Sequence, residues 1–165
     1  MSLEELKGRP LRCCILTVSD TRTIETDKGG NQVEKLLHEA NHEVVHRQIV
    51  HDEYNVIYEA VMSWLKETSI DVIITTGGTG IAKRDVTIES VSAIIEKEIP
   101  GFGELFRYLS YTEDIGTKAM ASRAIAGVHG HTLLFALPGS VGAVTLGMTK
   151  LVIPEAPHLV REITK

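Results

Sequence analysis

The sequence predicts a three-layer α/β/α fold, with a mostly parallel central sheet and a small antiparallel hairpin. Three observations carry this prediction. Short apolar runs alternate with segments of helical apolar spacing, strand then helix, three times over from Cys13. That alternation calls for parallel strands, right-handed crossovers and helices on both faces. The run Asp71-Val-Ile-Ile-Thr-Thr76 stops in Gly77-Gly78-Thr79-Gly80 and leads into helical spacing at Ile88, Val91, Ile94 and Ile95. Strand, glycine-rich loop and helix together form the arrangement by which α/β proteins hold phosphates. The stretch 124–137 holds two apolar runs around Gly130 and reads as a hairpin.

The elements follow in order. Residues 1–11 read as a loose arm, leaving a single domain over 12–165. Residues 13–19 are a continuous apolar run of the kind a buried parallel strand shows. Residues 24–30 are polar and end in glycines, a loop; 32–40 place Val33, Leu36, Leu37 and Ala40 at helical spacing. Residues 43–50 form a second strand, and 53–67 a helix with Ile57, Val61, Trp64 and Leu65 on one side. After the third strand and its helix, two helical stretches are expected near 103–111 and 117–123. Past the hairpin, 141–151 reads as a helix that Pro154 interrupts, and 155–163 as a last short one.

Composition narrows the function. With 17 basic and 22 acidic residues the net charge is −5. This argues against nucleic acid or an anionic membrane as the main partner, but not against a small anion held by local donors. Cys13 and Cys14 are adjacent in a strand and face opposite ways, so they read as core thiols of a reducing compartment, not as a disulfide. No signal-peptide pattern or membrane-length apolar run is present, and a cytoplasmic protein is expected. His129 and His131 share a face at the hairpin tip, which reads more simply as exposed polar residues than as a metal site; His38, His42, His46 and His158 read as solvent-facing.

The chemistry gathers on one edge. In an open parallel sheet, ligands bind at the carboxyl ends of the strands. There this chain places Ser19 and Asp20, Asp52, the loop from Thr75 through Thr76, Gly77, Gly78, Thr79 and Gly80 to Asp85, and the Pro138-Gly139-Ser140 turn. Glycine amides and a helix dipole suit an anion, whereas a carboxylate beside a phosphate suits it only with a divalent cation between them. The local pattern therefore reads as phosphate plus Mg²⁺. Each residue also has a plainer reading. Asp85 and Asp52 fit helix N-caps, Asp20 a turn residue, Ser140 an N-cap, and the glycines a tight turn. The loop is neither a P-loop nor a Rossmann fingerprint. The stretch 99–111, with many aromatics beside glycines, reads as core or as an interface between copies of the chain.

Several motifs in order resemble one family: Thr75-Thr-Gly-Gly-Thr-Gly80 with Arg84-Asp-Val-Thr87, Pro100-Gly-Phe-Gly-Glu-Leu-Phe-Arg107, Ser122-Arg-Ala124 and Leu137-Pro-Gly-Ser140. From about Cys13 to the C-terminus the chain is similar to the molybdenum cofactor biosynthesis protein B family (MoaB/MogA), the molybdopterin-binding domain. Ser19-Asp-Thr-Arg22 and Tyr111-Thr-Glu-Asp-Ile-Gly116 resemble its MoaB branch. The resemblance implies the MogA-like molybdopterin-binding fold, assembled as a trimer or a dimer of trimers. It implies molybdopterin as ligand and, in active members, adenylylation of its terminal phosphate by Mg²⁺-ATP with release of pyrophosphate, before a separate protein inserts molybdate. The family's functional aspartates match Asp52 and Asp85, which would be both catalytic and metal-holding. Its glycine-rich loop matches Thr75 to Gly80, with Thr76 to Gly80 binding phosphate, and its pterin-side contacts match Ser122 and Pro138, Gly139 and Ser140, with Ser19 and Asp20 on the same edge. Two departures stand out. Gly29 replaces a hydroxyl residue of many members, and Pro138-Gly-Ser-Val141 replaces the Pro-Gly-Asn/Gln-Pro of the MogA-like adenylyltransferases. Beside the enzyme reading therefore stand a non-catalytic molybdopterin carrier or scaffold and, further off, an unrelated nucleotide-binding sensor.

Overall fold

The computed structural model describes residues 8–165. Its elements are β1 (Arg12–Val18), α1 (Lys28–Glu39), β2 (Glu43–Val50), α2 (Tyr54–Leu65), β3 (Val72–Thr76), α3 (Thr87–Ile94) and β4 (Lys97–Glu98). After these come α4 (Pro100–Glu113), a 3₁₀ turn (Gly116–Ala121), β5 (Ile125–His129), β6 (Thr132–Leu137), α5 (Val141–Gly147), a π-helical turn (Met148–Val152) and α6 (Ile153–Ile163). One six-stranded sheet runs β2-β1-β3-β6-β5-β4. The pairs β1–β2, β1–β3 and β3–β6 are parallel, whereas β5 is antiparallel to both its neighbours. The expected α/β sandwich with its hairpin is therefore the fold.

Strand alternation divides the interior in two. Cys13, Ile15, Val72, Ile74, Leu133, Phe135 and Leu137 face α1, α4, α5 and α6, where Val33, Phe102, Phe106, Val144 and Val160 meet them. Cys14, Leu16, Val18, Ile73 and Leu134 face α2 and α3, with Ile57, Val61 and Trp64. Both faces of the sheet are covered, which is why its central strands are buried along their length and do not alternate between apolar and exposed polar residues. Burial pushes the thiol of Cys14 up to about 12 and raises that of Cys13 further. Among the described residues no helix is long and apolar enough to cross a membrane.

The stretch 99–111 divides between the two roles expected for it. Phe102 and Phe106 are core residues: Phe102 meets Phe135 edge-on at 5.1 Å and lies 6.3 Å from Phe106, which is fully buried. Phe106→Ala is therefore expected to cost about 3–5 kcal/mol, read as a lowered denaturant midpoint with an unchanged slope. Leu105, Tyr108 and Tyr111, by contrast, lie on the exposed side of α4.

Five local expectations are corrected. Helix α1 starts at Lys28, not residue 32, because Asp27 caps it by accepting the Gly30 N–H at 2.9 Å, so the glycine pair lies inside the helix. Pro154 does not interrupt the C-terminal helix. The π turn widens the backbone just before it, and α5, the turn and α6 run on continuously. Residues 1–7 of the expected arm lie outside the described residues, but its end is anchored: Arg9 pairs with Asp71 through two bonds of 2.8 and 2.9 Å, and Leu11 is buried. His42 is half-buried, not solvent-facing; its Nδ1 accepts the Leu11 N–H at 3.0 Å, and burial lowers its pKa. His129 is likewise spent on structure, with Nδ1 2.8 Å from the Ile94 carbonyl.

Candidate functional site

The carboxyl ends of β1, β3 and β6 meet because the strands carry their register into the loops. The Gly77 N–H donates to the Leu137 carbonyl at 3.0 Å, and the Ser19 N–H to Val50 at 2.8 Å. Between these ends lies a pocket of about 230 Å³ lined by Thr17, Val18, Ser19, Arg22, Asp27, Asp52, Thr76, Gly77, Gly78, Asp85 and Gly139. A larger groove elsewhere, beside β4 and α6, is unconnected with this edge.

The two acids singled out in the sequence thus share one pocket. Asp52 Oδ1 stands 3.1 Å from where a Cβ on Gly78 would lie, and Asp85 Oδ2 2.6 Å from one on Gly80. The carboxylates therefore flank the glycine loop. Burial raises the pKa of Asp52, and the nearby Asp85 charge raises it further. Two carboxylates kept close despite that repulsion suit a divalent cation. Among the described residues no third His, Cys, Asp or Glu joins them in a cage. That donor set fits Mg²⁺, which takes one or two carboxylates and completes its shell with phosphate oxygens and water.

A stability consequence follows. The unfolded chain ionises Asp52 in the ordinary carboxylate range, and the folded chain only at higher pH. Folding stability is therefore lost as pH rises from the first value through the second. Asp52→Asn is expected to raise the Tm at neutral pH. Thermal melts of the two proteins should converge below the ordinary carboxylate range.

The glycine loop is shaped from outside the pocket. Gly77 and Gly78 take φ of +90° and +67°. A Cβ on Gly77 would strike the Val18 carbonyl, and one on Gly78 the Thr87 hydroxyl. Thr87 donates from Oγ1 to the Gly77 carbonyl (2.8 Å) and from its N–H to Gly78 (3.0 Å). Arg123 donates from Nε to the carbonyls of Thr79 (3.2 Å) and Gly80 (3.1 Å). Asp85 Oδ2 accepts the Ala82 N–H at 3.1 Å, closing the loop's far end. By contrast, the amides of Gly78, Thr79, Gly80 and Ile81 donate to no protein group among the described residues. A loop with tied carbonyls and unpaired amides has the donor set that suits an anion.

The pocket's floor was not foreseen. Asp27, almost fully buried, accepts from Thr17 Oγ1 at 2.6 Å and from Arg47 Nη2 at 3.1 Å, while Thr76 Oγ1 donates to Thr17 at 3.4 Å. The sequence signal for Asp27 was its N-cap position, hidden by the following glycines. Arg22, Thr87 and Arg123 fall within the motifs 19–22, 84–87 and 122–124 that carry the family resemblance, but nothing in the residue spacing assigns them these places.

Other expected residues take supporting places. Asp20 does not line the pocket. Its Oδ1 accepts the Asp52 N–H at 3.0 Å and its other oxygen pairs with Arg84, so it fixes the Asp52 turn. Ser19 lines the pocket, with Oγ accepting the Thr21 and Arg22 amides at 3.2 Å. Thr79, within the loop, is buried, and it and Gly80 lie outside the lining. Ser140 caps α5, accepting the Ala143 N–H at 3.2 Å; Pro138 and Ser122 are outside the lining, whereas Gly139 is in it. Gly29 packs against this last turn: a Cβ there would stand 2.5 Å from the Gly139 carbonyl. A serine or threonine in place of Gly29 could not be carried in this geometry without a shift.

The chain is similar to known proteins along nearly its whole length. A family model described as "Probable molybdopterin binding domain" matches residues 14–158. The chain is 59% identical over 159 residues to the molybdenum cofactor biosynthesis protein B of Staphylococcus carnosus, covering 95% of this chain and 93% of that one. To the protein of the same name from Bacillus cereus it is 54% identical over 166 residues, covering 99% and 98%. Among solved structures, a molybdenum cofactor biosynthesis protein B superposes with a TM-score of 0.92 at 53% identity, covering 94% of this chain and 97% of that one. The tungsten cofactor synthesizing protein MoaB of Pyrococcus furiosus gives 0.85 at 34%, covering 96% and 99%.

Proposed function

Since this chain belongs to the molybdopterin-binding domain family of molybdenum cofactor biosynthesis proteins, we propose that it binds molybdopterin and adenylylates it with Mg²⁺-ATP, releasing pyrophosphate. The observation that carries this reading is that Asp52 and Asp85 share one pocket with Gly77 and Gly78, at a loop whose Gly78 to Ile81 amides are unpaired among the described residues. One anion cradle beside two carboxylates suits a triphosphate bound with a cation, and suits neither a lone phosphate nor a lone metal. Mg²⁺ held by Asp52 and Asp85 would supply charge neutralisation at the triphosphate.

The chain's own residues do the rest by position. The amides of Gly78 to Ile81 orient phosphate oxygens, with Gly139 from the facing turn completing the wall. The terminal phosphate of molybdopterin attacks the α-phosphorus of ATP. A new P–O–P bond forms, the α–β bond breaks, and pyrophosphate leaves with the electron pair. No covalent enzyme intermediate is needed.

The exposed Leu105, Tyr108, Tyr111, Ile115 and Met120 support self-association through this face, as a trimer or a dimer of trimers. The adenylylated product is then available to a separate molybdate-inserting protein in the cytoplasm.

A second reading, a molybdopterin carrier without catalysis, is favoured by one observation. The Ser140 side chain, in the turn that departs from the adenylyltransferase pattern, is engaged in capping α5. Incubation with molybdopterin and Mg²⁺-ATP separates the two. Pyrophosphate released in proportion to molybdopterin supports the enzyme; tight pterin binding with none released supports the carrier. ATP binding without pterin affinity would overturn both.

A further inference from the structure

We propose that Arg123 is a positioning residue for the phosphate loop, its guanidinium gathering the carbonyls of Thr79, Gly80 and Asp85 so that the loop's amides and the Asp85 carboxylate are held in place. Arg123 lies in the link between the 3₁₀ turn and β5, more than forty residues from Gly80 in sequence. Its Nε reaches Thr79 and Gly80, and its Nη2 reaches Gly80 at 2.7 Å and Asp85 at 3.2 Å. Nη1 donates to Oε2 of Glu89 on α3, and Glu89 Oε1, 3.1 Å from Nη2, shares that group's two hydrogens with the carbonyls. The middle of the loop, at Thr79–Gly80, and its far end, at Asp85, are thus tied to one rigid cation.

The consequence follows from peptide geometry. In a trans peptide the C=O of one residue and the N–H of the next point in opposite directions. Thr87 holds the Gly77 and Gly78 carbonyls, and Arg123 those of Thr79 and Gly80. Four successive carbonyls are drawn to internal donors, so the amides of Gly78, Thr79, Gly80 and Ile81 are turned away from those donors and left for a ligand. Thr87 sets the first two and Arg123 the last two. Only a guanidinium has donors enough, in one plane, to hold three carbonyls and a carboxylate together. A surface ion pair with Glu89 alone would be worth little; the carbonyl contacts give this arginine its role.

The adenylylation role of Arg123 rests on the function proposed above, but the loop geometry does not, so the test has two arms. Arg123→Gln, Arg123→Lys and Glu89→Gln are compared with the wild type. In the first arm, hydrogen exchange is read at Ala82 and Asp85, whose amides are internally bonded within the loop. Arg123→Gln is expected to speed exchange there at least tenfold with the strand amides unchanged. Arg123→Lys should give an intermediate value, and Glu89→Gln should stay within about threefold. In the second arm, kcat for pyrophosphate release should fall at least tenfold in Arg123→Gln, with KM for molybdopterin within twofold and partial rescue in Arg123→Lys. Exchange rising uniformly over the whole chain, or unchanged loop exchange with wild-type kcat, would overturn the proposal. If the wild type releases no pyrophosphate, the enzyme reading fails while the exchange arm still decides whether Arg123 holds the loop.

Discussion

Asp85→Asn is expected to lower pyrophosphate release by about a hundredfold or more, the range seen when a group that stabilises transition-state charge is removed. The substitution is gentle on the fold. An asparagine oxygen can still accept the Ala82 N–H that Asp85 takes at 3.1 Å, so the Tm should stay within a few degrees. Losing the Asp85 charge also removes one of the two causes that raise Asp52. The acid limb of any remaining activity that depends on ionised Asp52 should therefore move to lower pH. Steady-state pyrophosphate release across pH, with a parallel melt, measures all three. A variant that turns over at the wild-type rate would remove the two-carboxylate mechanism.

Gly77→Ala is expected to be the most damaging single methyl in the site. The residue has φ +90°, where an L side chain is strained by roughly 1–2 kcal/mol. Its new Cβ would also meet the Val18 carbonyl, and Val18 ends β1 in the middle of the sheet, where backbone cannot yield cheaply. A total loss of about 3 kcal/mol or more is expected, a fall in Tm of roughly 6–12 °C for a chain of this size. Nucleotide affinity should fall with it, because widening the β1–β3 gap displaces the cradle. Gly101→Ala is the control: it lies in α4 with nothing within 4 Å of a new Cβ, and its Tm should not fall. Equal melts for Gly77→Ala and the wild type would mean that the close approach to Val18 is not structural.

The fold was legible where periodicity decides it. β1 and β3 are buried on both faces and read as unbroken apolar runs, and α2 shows its Ile57–Val61–Trp64 stripe. What stayed hidden depends on contacts or on competing local signals. β4 is only two residues long and exists through its pairing with β5. Gly29 and Gly30 looked like helix breakers, yet the Asp27 cap and the tight fit against Gly139 make them helical. Pro154 looked like a stop, but a π turn absorbs it. For the site, the rule that ligands gather at the carboxyl edge was enough to bring Asp52, Asp85 and the glycine loop together. It could not find Thr87 or Arg123. Each acts on backbone carbonyls across the tertiary structure, and carbonyls carry no sequence signature.

The two sealed cysteines have a bearing on the ligand. Molybdopterin presents a dithiolene, a pair of soft sulfur donors that a neighbouring thiolate would compete with for the same metals and, under an oxidant, could join in a disulfide. Cys13 and Cys14 are fully buried and resist ionisation, and they stand at the amino-terminal end of β1, away from the pocket at its other end. Among the described residues the folded protein therefore brings no thiolate of its own to that meeting. A sulfur-bearing guest would find a host whose recognition is all oxygen and nitrogen, and could leave it with its redox state unchanged.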